Sequence, residues 1–237
     1  AATTQRPEPV FRAVYNYDIT GNGNPHRGAH VLAISASQAY DGSKETVRDF
    51  IHAASVEEII YTRNTTESLN LIERSYAETH LKKGDRILIT IAEHHSNLVP
   101  WQRACEKTGA ELDYIYVDKE TGHFREEDLA KIDDPKVKIF SFAQVSNVLG
   151  IDFDPAPLIE RAHRHGAIVI MDGAQGAPHK HTDVQALDCD FYTFSGHKMC
   201  ALTGIGFFTE RRHCWKKWSR SARRDMIEQV KEQETIF

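Results

Sequence analysis

Short apolar runs alternate along the chain with longer segments whose apolar residues recur at helical spacing. The short runs are typical of buried strands, and the longer segments are typical of helices that pack on one face. Strands are predicted at residues 58–62, 86–91, 112–117, 137–142, 169–172 and 191–194. Helices are predicted near 8–17, over 37–53, from the threonines at 65–66 onward, and over 126–132 and 158–165. Strands that alternate with helices predict an α/β fold with a mostly parallel sheet covered on both faces.

Polar side chains follow three of the predicted strands. Asn147 lies in the segment after the strand at 137–142, and Asp172 ends the next strand. The small-residue turn from Ser195 to Lys198 follows the aromatic strand Phe191–Phe194. Because ligands of open α/β sheets bind outside the carboxyl ends of the strands, we expect these groups to share one site.

Lys198 and Asp172 are the groups that suggest a chemistry. A lysine at the mouth of a buried strand suits Schiff-base formation with a carbonyl cofactor, since desolvation disfavours its ammonium form. A lysine that merely extends from a strand end into solvent is the ordinary alternative. The carboxylate at the neighbouring strand end favours the first interpretation. Pyridoxal phosphate needs an acid that keeps its pyridine nitrogen protonated and a lysine that holds its aldehyde.

Composition narrows the class of protein. The 237 residues are 41% hydrophobic and 27% charged, which is typical of a soluble globular protein with a substantial core. The net charge of −5 argues against general nucleic-acid binding. No apolar run reaches membrane-spanning length, and the start has no signal-peptide pattern. Four cysteines lie far apart without a disulfide framework. We therefore expect a cytoplasmic protein without nucleic-acid or membrane partners.

Six segments, taken in order, carry a family resemblance: His26–His30, Glu93–Trp101, Val145–Gly150, Asp172–Gln175, Asp183–Tyr192 and Ser195–Lys198. With them the chain resembles the SUF-type (group II) cysteine desulfurases, which are pyridoxal-phosphate enzymes of the class V aminotransferase group and of fold type I. The resemblance runs from Ala1 to about Glu210. It implies a seven-stranded-type, mostly parallel sheet sandwiched by helices, which is the large domain of that fold, without the C-terminal small domain.

The resemblance also implies an activity and its partners. The reaction converts L-cysteine, or selenocysteine, to L-alanine and passes the sulfur to an enzyme cysteine as a persulfide. The expected cofactor is pyridoxal 5'-phosphate. The expected partners are a second copy of the chain in a homodimer and a sulfur-acceptor protein of an iron–sulfur assembly system.

Roles for the cofactor-binding residues follow from the same resemblance. Lys198 forms the imine with the cofactor and carries protons, Asp172 faces the pyridine nitrogen, and Gln175 donates to the phenolic oxygen. His94 stacks on the ring as a second catalytic residue. A metal site is not expected, because His94 and His95 are adjacent and point in different directions.

The phosphate and substrate groups complete the expected site. A threonine before a helical pattern is either a plain N-cap or an anion site at the helix N-terminus. The resemblance favours the anion site, with Thr66 preferred to its neighbour Thr65. Ser195 and His197 complete the phosphate set. The substrate is assigned to Asn147 and to the His26 loop at the entrance.

Departures from the family pattern concern both ends and one turn. The first residues resemble the family's active-site turn without the strand that precedes it, and the nucleophilic cysteine and substrate-clamping arginines fall after Phe237, so we expect a chain truncated at both ends. None of the four cysteines lies in the nucleophile motif, and Cys200 is the least implausible substitute. Ala201 and Leu202 stand where the family has Gly-Pro.

Three segments are predicted: an active-site loop segment (1–36), a cofactor-binding large domain (37–210) and an aberrant basic tail (211–237). Seven of the fourteen residues at 211–224 are basic. They indicate a nucleic-acid patch, a solvated surface or a local reading-frame disturbance, and we favour the last. Translation of the gene in its other frames tests this.

Two other functions stay open at this point. One is a class V relative with different chemistry, such as an aminotransferase, lyase or epimerase. The other is a non-catalytic remnant that binds a partner. For this chain we expect weak cofactor binding at best, and negligible turnover.

Overall fold

The computed structural model describes residues 2–211, which form one seven-stranded sheet with helices on both faces. The strands are β1 (Ile59–Thr62), β2 (Arg86–Thr90), β3 (Glu111–Ile115), β4 (Val137–Ala143), β5 (Ile168–Asp172), β6 (Phe191–Ser195) and β7 (Gly206–Glu210). Their order in the sheet is β1-β7-β6-β5-β4-β2-β3. Strand β7 runs antiparallel to both of its neighbours, and the other pairs are parallel. The predicted α/β fold with a mostly parallel sheet is therefore confirmed.

Of the described helices, two precede β1 in the chain and the others lie between the strands. The helices are α1 (Glu8–Thr20), α2 (Val31–Ile51), α3 (Thr65–Ile72), α4 (Glu78–His80), α5 (Val99–Thr108), α6 (Glu126–Leu129), α7 (Ala156–Arg164) and α8 (Val184–Leu187). A π-helical turn, Glu73–Ala77, joins α3 to α4. No helix among residues 2–211 is both long enough and apolar enough to cross a membrane. Of the predicted basic tail, all but Arg211 lies outside the described residues.

The largest differences from the sequence prediction are the start of one helix and one whole strand. Helix α2 begins at Val31 instead of residue 37, because the His30 ring caps it by accepting the backbone N–H of Ala33. Strand β7 was not predicted. Its apolar content is Phe207 and Phe208, and long-range pairing with β1 and β6 makes it a strand.

Side chains on the two faces of the sheet pack against different helices. Val169 and Met171 of β5 share one hydrophobic cluster with Ile159 of α7. Ile170, on the opposite face, packs in a second cluster with Trp101 of α5. Because side chains alternate along a strand, Asp172 lies on the same face as Ile170.

The strand order places a crevice between β2 and β4. Strand β2 pairs with β3 on one side and with β4 on the other, so the chain reverses its direction across the sheet between β2 and β4. Crevices of this kind at the carboxyl ends of the strands are where open α/β sheets bind ligands. The loops after β2, β4, β5 and β6 therefore surround the expected site.

An ion-paired histidine on α7 gives the fold a predicted pH dependence. The His163 ring bonds the buried Asp190 carboxylate through Nε2 at 2.8 Å and Asp188 through Nδ1 at 3.2 Å. These contacts raise the pKa of His163, with Asp190 as the main cause. Since the folded pKa lies above the unfolded value of about 6.5, the stabilisation is complete below that value and is lost as pH rises through the folded pKa.

We expect His163→Gln to lower the free energy of unfolding at pH 6 by roughly 1–3 kcal/mol and to leave a smaller difference at pH 9. Urea unfolding at both pH values measures this. The exposed His181→Gln is the matched control. Equal losses for His163→Gln at the two pH values would contradict the prediction.

Candidate active site

The turn that carries Lys198 is tied to the first residues of the chain. It is a 3₁₀ turn, Gly196–Lys198, directly after β6. The backbone N–H and the hydroxyl of Thr4 both donate to the carbonyl of His197, at 2.9 and 3.1 Å. The same hydroxyl accepts the backbone N–H of Cys200 at 2.7 Å. Sequence reasoning did not single out Thr4. The only available signal was the likeness of its segment to the family's active-site turn.

We expect Thr4→Val to loosen the lysine turn without unfolding the chain. The variant keeps the backbone bond to His197 but loses both hydroxyl bonds, each worth about 1 kcal/mol. Hydrogen exchange at the Cys200 amide should accelerate by about tenfold. Thr20→Val is the matched control, since the Thr20 hydroxyl bonds Asn16 within α1. Unchanged Cys200 exchange would refute the expected role of Thr4.

Asp172 is buried at the end of β5, where its Oδ1 accepts the backbone N–H of Ala174 at 2.8 Å. Burial raises the pKa of Asp172, and the nearby charges of Lys198 and His94 act in the opposite direction. The three side chains are therefore close enough to influence one another. The two groups that suggested the chemistry, Lys198 and Asp172, thus lie at the ends of adjacent parallel strands and within reach of each other's charge.

The turn after Asp172 is packed so tightly that it requires glycine. A Cβ at Gly173 would overlap the ring of Tyr192, and one at Gly176 would overlap the amide of Gln144. The Tyr192 hydroxyl donates to Gln144 Oε1 at 2.8 Å, which holds both obstacles in place. This buried pair fixes the backbone that carries Asp172 and, beyond it, Gln175.

His94 lies directly before the 3₁₀ turn His95–Asn97. Its Nδ1 accepts the backbone N–H of Ser96 at 3.1 Å and lies 2.7 Å from the Ser96 hydroxyl. A neutral His94 ring therefore carries its proton on Nε2. Partial burial, and then the positive charge of Lys198, lower the pKa of His94. Although part of the ring is desolvated, the residue as a whole is exposed and can be reached by a ligand.

The start of α3 meets the end of β6. The buried Thr65 donates its backbone N–H to Ser195 Oγ at 2.8 Å, and the two hydroxyls lie 2.7 Å apart. Thr66, the next residue, is exposed. The alternative of a plain threonine N-cap is wrong, because Asn64 caps the helix by accepting the backbone N–H of Glu67 at 2.9 Å. The threonines are thus the first helical residues. Because the N–H groups of Thr65 and Glu67 are already bonded, the backbone N–H of Thr66 is the one left for an anion in this first turn.

Three further predicted residues lie in the loops that follow β4, β5 and β6. Asn147 is exposed in the loop after β4, and Ser146 ties that loop to the end of β2 by donating to the carbonyl of Ala92 at 3.1 Å. Gln175 is half-buried in the turn after Asp172. His197 follows Ser195 in the lysine turn, where partial burial and then Lys198 lower its pKa.

His26, predicted to lie at the substrate entrance, makes its described contacts on α2. Its backbone N–H donates to Ser37 Oγ at 2.8 Å, its ring packs edge-on against Tyr40, and Nε2 lies 3.3 Å from Asp41. All of these partners belong to α2. None of its described contacts reaches Asp172, His94 or Lys198.

Two of the cysteines are unsuited to nucleophilic chemistry at neutral pH. Burial raises the pKa of Cys105 to about 11 and that of Cys189 to about 12. Thiols in such surroundings stay protonated and inert. Cys200 is exposed two residues after Lys198, with a left-handed backbone (φ +69°). Cys214 lies outside the described residues.

Comparison with known proteins identifies relatives of the chain. The family model described as aminotransferase class-V matches residues 1–237. A protein named "Probable cysteine desulfurase" from Halalkalibacterium halodurans is 50% identical over 206 residues, which are 87% of this chain and 50% of that protein. A cysteine desulfurase from Synechococcus elongatus is 48% identical over 206 residues, or 87% of this chain and 33% of that protein.

Solved structures give the same result. The apo structure of a cysteine desulfurase from Thermococcus onnurineus has a TM-score of 0.87 at 39% identity, covering 92% of this chain and 54% of that one. The S-sulfonic acid form of the cysteine desulfurase CsdA from Escherichia coli has a TM-score of 0.79 at 38% identity, covering 89% and 52%. The chain therefore spans about half the length of most of these relatives.

Proposed function

We propose, on the premise that this chain belongs to the aminotransferase class-V family, that it is the pyridoxal-phosphate-binding part of a cysteine desulfurase. The observation that carries the proposal is the juxtaposition of Lys198, Asp172 and His94, each of which influences the ionisation of another. The substrate is L-cysteine, with selenocysteine as a close analogue. A homodimer and a sulfur-acceptor protein of iron–sulfur assembly are proposed as partners on the family likeness alone.

The residues present fit the family's cofactor. Asp172 uses Oδ1 for its bond to Ala174, and Oδ2 has no partner among the described residues, so it is available to a protonated ring nitrogen. The Thr193 hydroxyl, on the same face of the sheet, is buried and has no hydrogen-bond partner within residues 2–211. Where the start of α3 meets the end of β6, the backbone N–H of Thr66 and the hydroxyls of Thr65 and Ser195 are donors suited to a phosphate.

Each group has a chemical task in this proposal. When bound, pyridoxal phosphate supplies an electron sink for the substrate's α-carbon. Lys198 would hold the aldehyde, and its Nζ would accept the α-proton of the substrate. Asp172 maintains the positive charge on the ring nitrogen, and the neutral ring of His94 covers one face. Gln175 donates to the ring oxygen.

The remaining predicted residues bind the ends of the ligands. We propose that Thr66, its neighbour Thr65, Ser195 and His197 hold the phosphate. Asn147 contacts the substrate carboxylate, since its loop is tied to the strand end before His94. His26 is retained for the substrate entrance only through the family likeness. The division into segments 1–36, 37–210 and 211–237 also remains a prediction.

Absorbance spectroscopy tests the proposed function. The chain is incubated with pyridoxal phosphate and then with L-cysteine, L-alanine or L-aspartate in parallel. We expect a long-wavelength band that L-cysteine perturbs at lower concentration than the other amino acids do. A response to L-aspartate alone would favour an aminotransferase, and failure to bind the cofactor would favour a non-catalytic remnant.

A further inference from the structure

The carboxylate of Glu93 is enclosed by hydrogen-bond donors at the switch point of the sheet. Its Oε2 accepts from Asn97 Nδ2 at 2.6 Å. Its Oε1 accepts the backbone N–H of Ala143, the last residue of β4, at 3.1 Å and also bonds the hydroxyl of Thr90, the last residue of β2. One carboxylate thus joins two adjacent parallel strands to the turn that follows β2.

The orientation of Asn97 makes this arrangement specific for an acceptor at position 93. The buried Asn97 side chain accepts at Oδ1 from Trp101 Nε1 at 2.9 Å and from the Ser141 hydroxyl at 2.6 Å. Both partners are donors there, so the amide cannot flip without losing two bonds. Its NH₂ group must therefore face Glu93.

The same two residues bracket His94. Glu93 precedes it, and the backbone N–H of Asn97 donates to the His94 carbonyl at 2.8 Å. We propose that Glu93 is a positioning residue: its carboxylate, locked between β2, β4 and Asn97, fixes the turn that presents the His94 ring to the crevice. The consequence for catalysis rests on the proposed function, whereas the positioning itself does not.

The enclosure tolerates both ionisation states of Glu93. Desolvation raises the pKa of Glu93 to about 7, although the three donors act against it; the negative charge of Asp172 adds to the rise. The Thr90 hydroxyl already accepts the backbone N–H of Ala92 at 3.3 Å. It can donate to the carboxylate or accept from the protonated acid, while Ala143 and Asn97 continue to donate. The tie therefore persists through the titration.

Glu93→Gln tests the proposal, because an amide that keeps its oxygen towards Ala143 directs its NH₂ group at the NH₂ group of Asn97. The readout is the NMR titration of the His94 ring in the chain without cofactor. As the turn loosens and the ring gains solvent, the lowered pKa of His94 should return towards its ordinary value. Loss of a negative charge alone would lower that pKa further, so the two causes have opposite signs. Affinity for pyridoxal phosphate should weaken by about tenfold.

The double variant Glu93→Gln/Asn97→Asp restores the pairing. The NH₂ group of the introduced glutamine then donates to the new carboxylate, which still accepts from Trp101 and Ser141, and the total charge equals that of the wild type. We expect the double variant to recover the wild-type His94 titration. The matched control is Glu106→Gln on the exposed face of α5.

Three results would overturn the proposal. They are a wild-type His94 titration in folded Glu93→Gln, a double variant that folds without recovering that titration, or failure of both variants to fold, which would make Glu93 a core residue only. A chain that binds no cofactor but shows the expected His94 titrations would refute the proposed function and leave this inference intact.

Discussion

Lys198→Ala should abolish the covalent capture of pyridoxal phosphate. Only a deprotonated amine can attack the cofactor aldehyde, and Lys198 is the lysine that the ends of β5 and β6 bring to Asp172 and His94. Borohydride reduction of the incubated chain, followed by peptide mass spectrometry, should find the cofactor on the Lys198 peptide in the wild type. In the variant, labelling should fall to the background. In an active enzyme that contains this chain, Lys198→Ala should lower turnover by a factor of about 10²–10⁴.

Two further variants separate the amine from its charge. Lys198→Arg keeps the positive charge but supplies no nucleophile, so it should also remain unlabelled while the pKa of His94 stays lowered. In Lys198→Ala that pKa should rise, because one of its causes has been removed. Lys138→Ala, on the exposed side of β4, is the control for lysine loss in general. Undiminished labelling of Lys198→Ala would assign the chemistry to another residue.

The central strands could be predicted from the sequence because both of their faces are buried. Strands β5 and β6 are buried at every position, and β4 at every position except Lys138, since each has neighbours in the sheet and helices above and below. The start of α2 and the whole of β7 could not be predicted. The first depends on a histidine ring acting as a cap, which is an uncommon signal. The second depends on pairing with strands distant in the sequence.

The candidate site also contains residues that local sequence reveals and residues that depend on long-range contacts. Asp172 and Lys198 could be placed together because both follow strands of one parallel sheet. Thr4 could not be found in this way, because its hydroxyl bond to the lysine turn joins residues 193 positions apart. Glu93 begins the family-like segment Glu93–Trp101, but its contact with Ala143 exists only once β2 and β4 are paired. Local patterns therefore identify the reactive groups, and the residues that hold them in place require the assembled sheet.

Asp172→Asn should weaken function and strengthen the fold. Burial raises the pKa of Asp172, so at neutral pH the charged side chain is less stable in the folded chain than in the unfolded one. For an acid with a raised folded pKa, the free energy of unfolding falls as pH rises between the unfolded and folded values, and the loss persists above them. The neutral amide removes this loss and can still accept the backbone N–H of Ala174. Thermal unfolding at pH 8 should therefore show a melting temperature equal to or above that of the wild type.

The functional loss in Asp172→Asn should be large, because an amide cannot hold the ring nitrogen in its protonated state. Removal of one preorganised electrostatic partner lowers turnover by about 10²–10³, and the absorbance response of the cofactor-loaded chain to L-cysteine should weaken in the same direction. Asp18→Asn, on the exposed surface of α1, should change neither property. A variant that lost stability but kept its cofactor response would mean that Asp172 supports the fold instead of the ring. A higher melting temperature together with a weaker absorbance response is expected only if the buried Asp172 carboxylate serves the cofactor and not the fold.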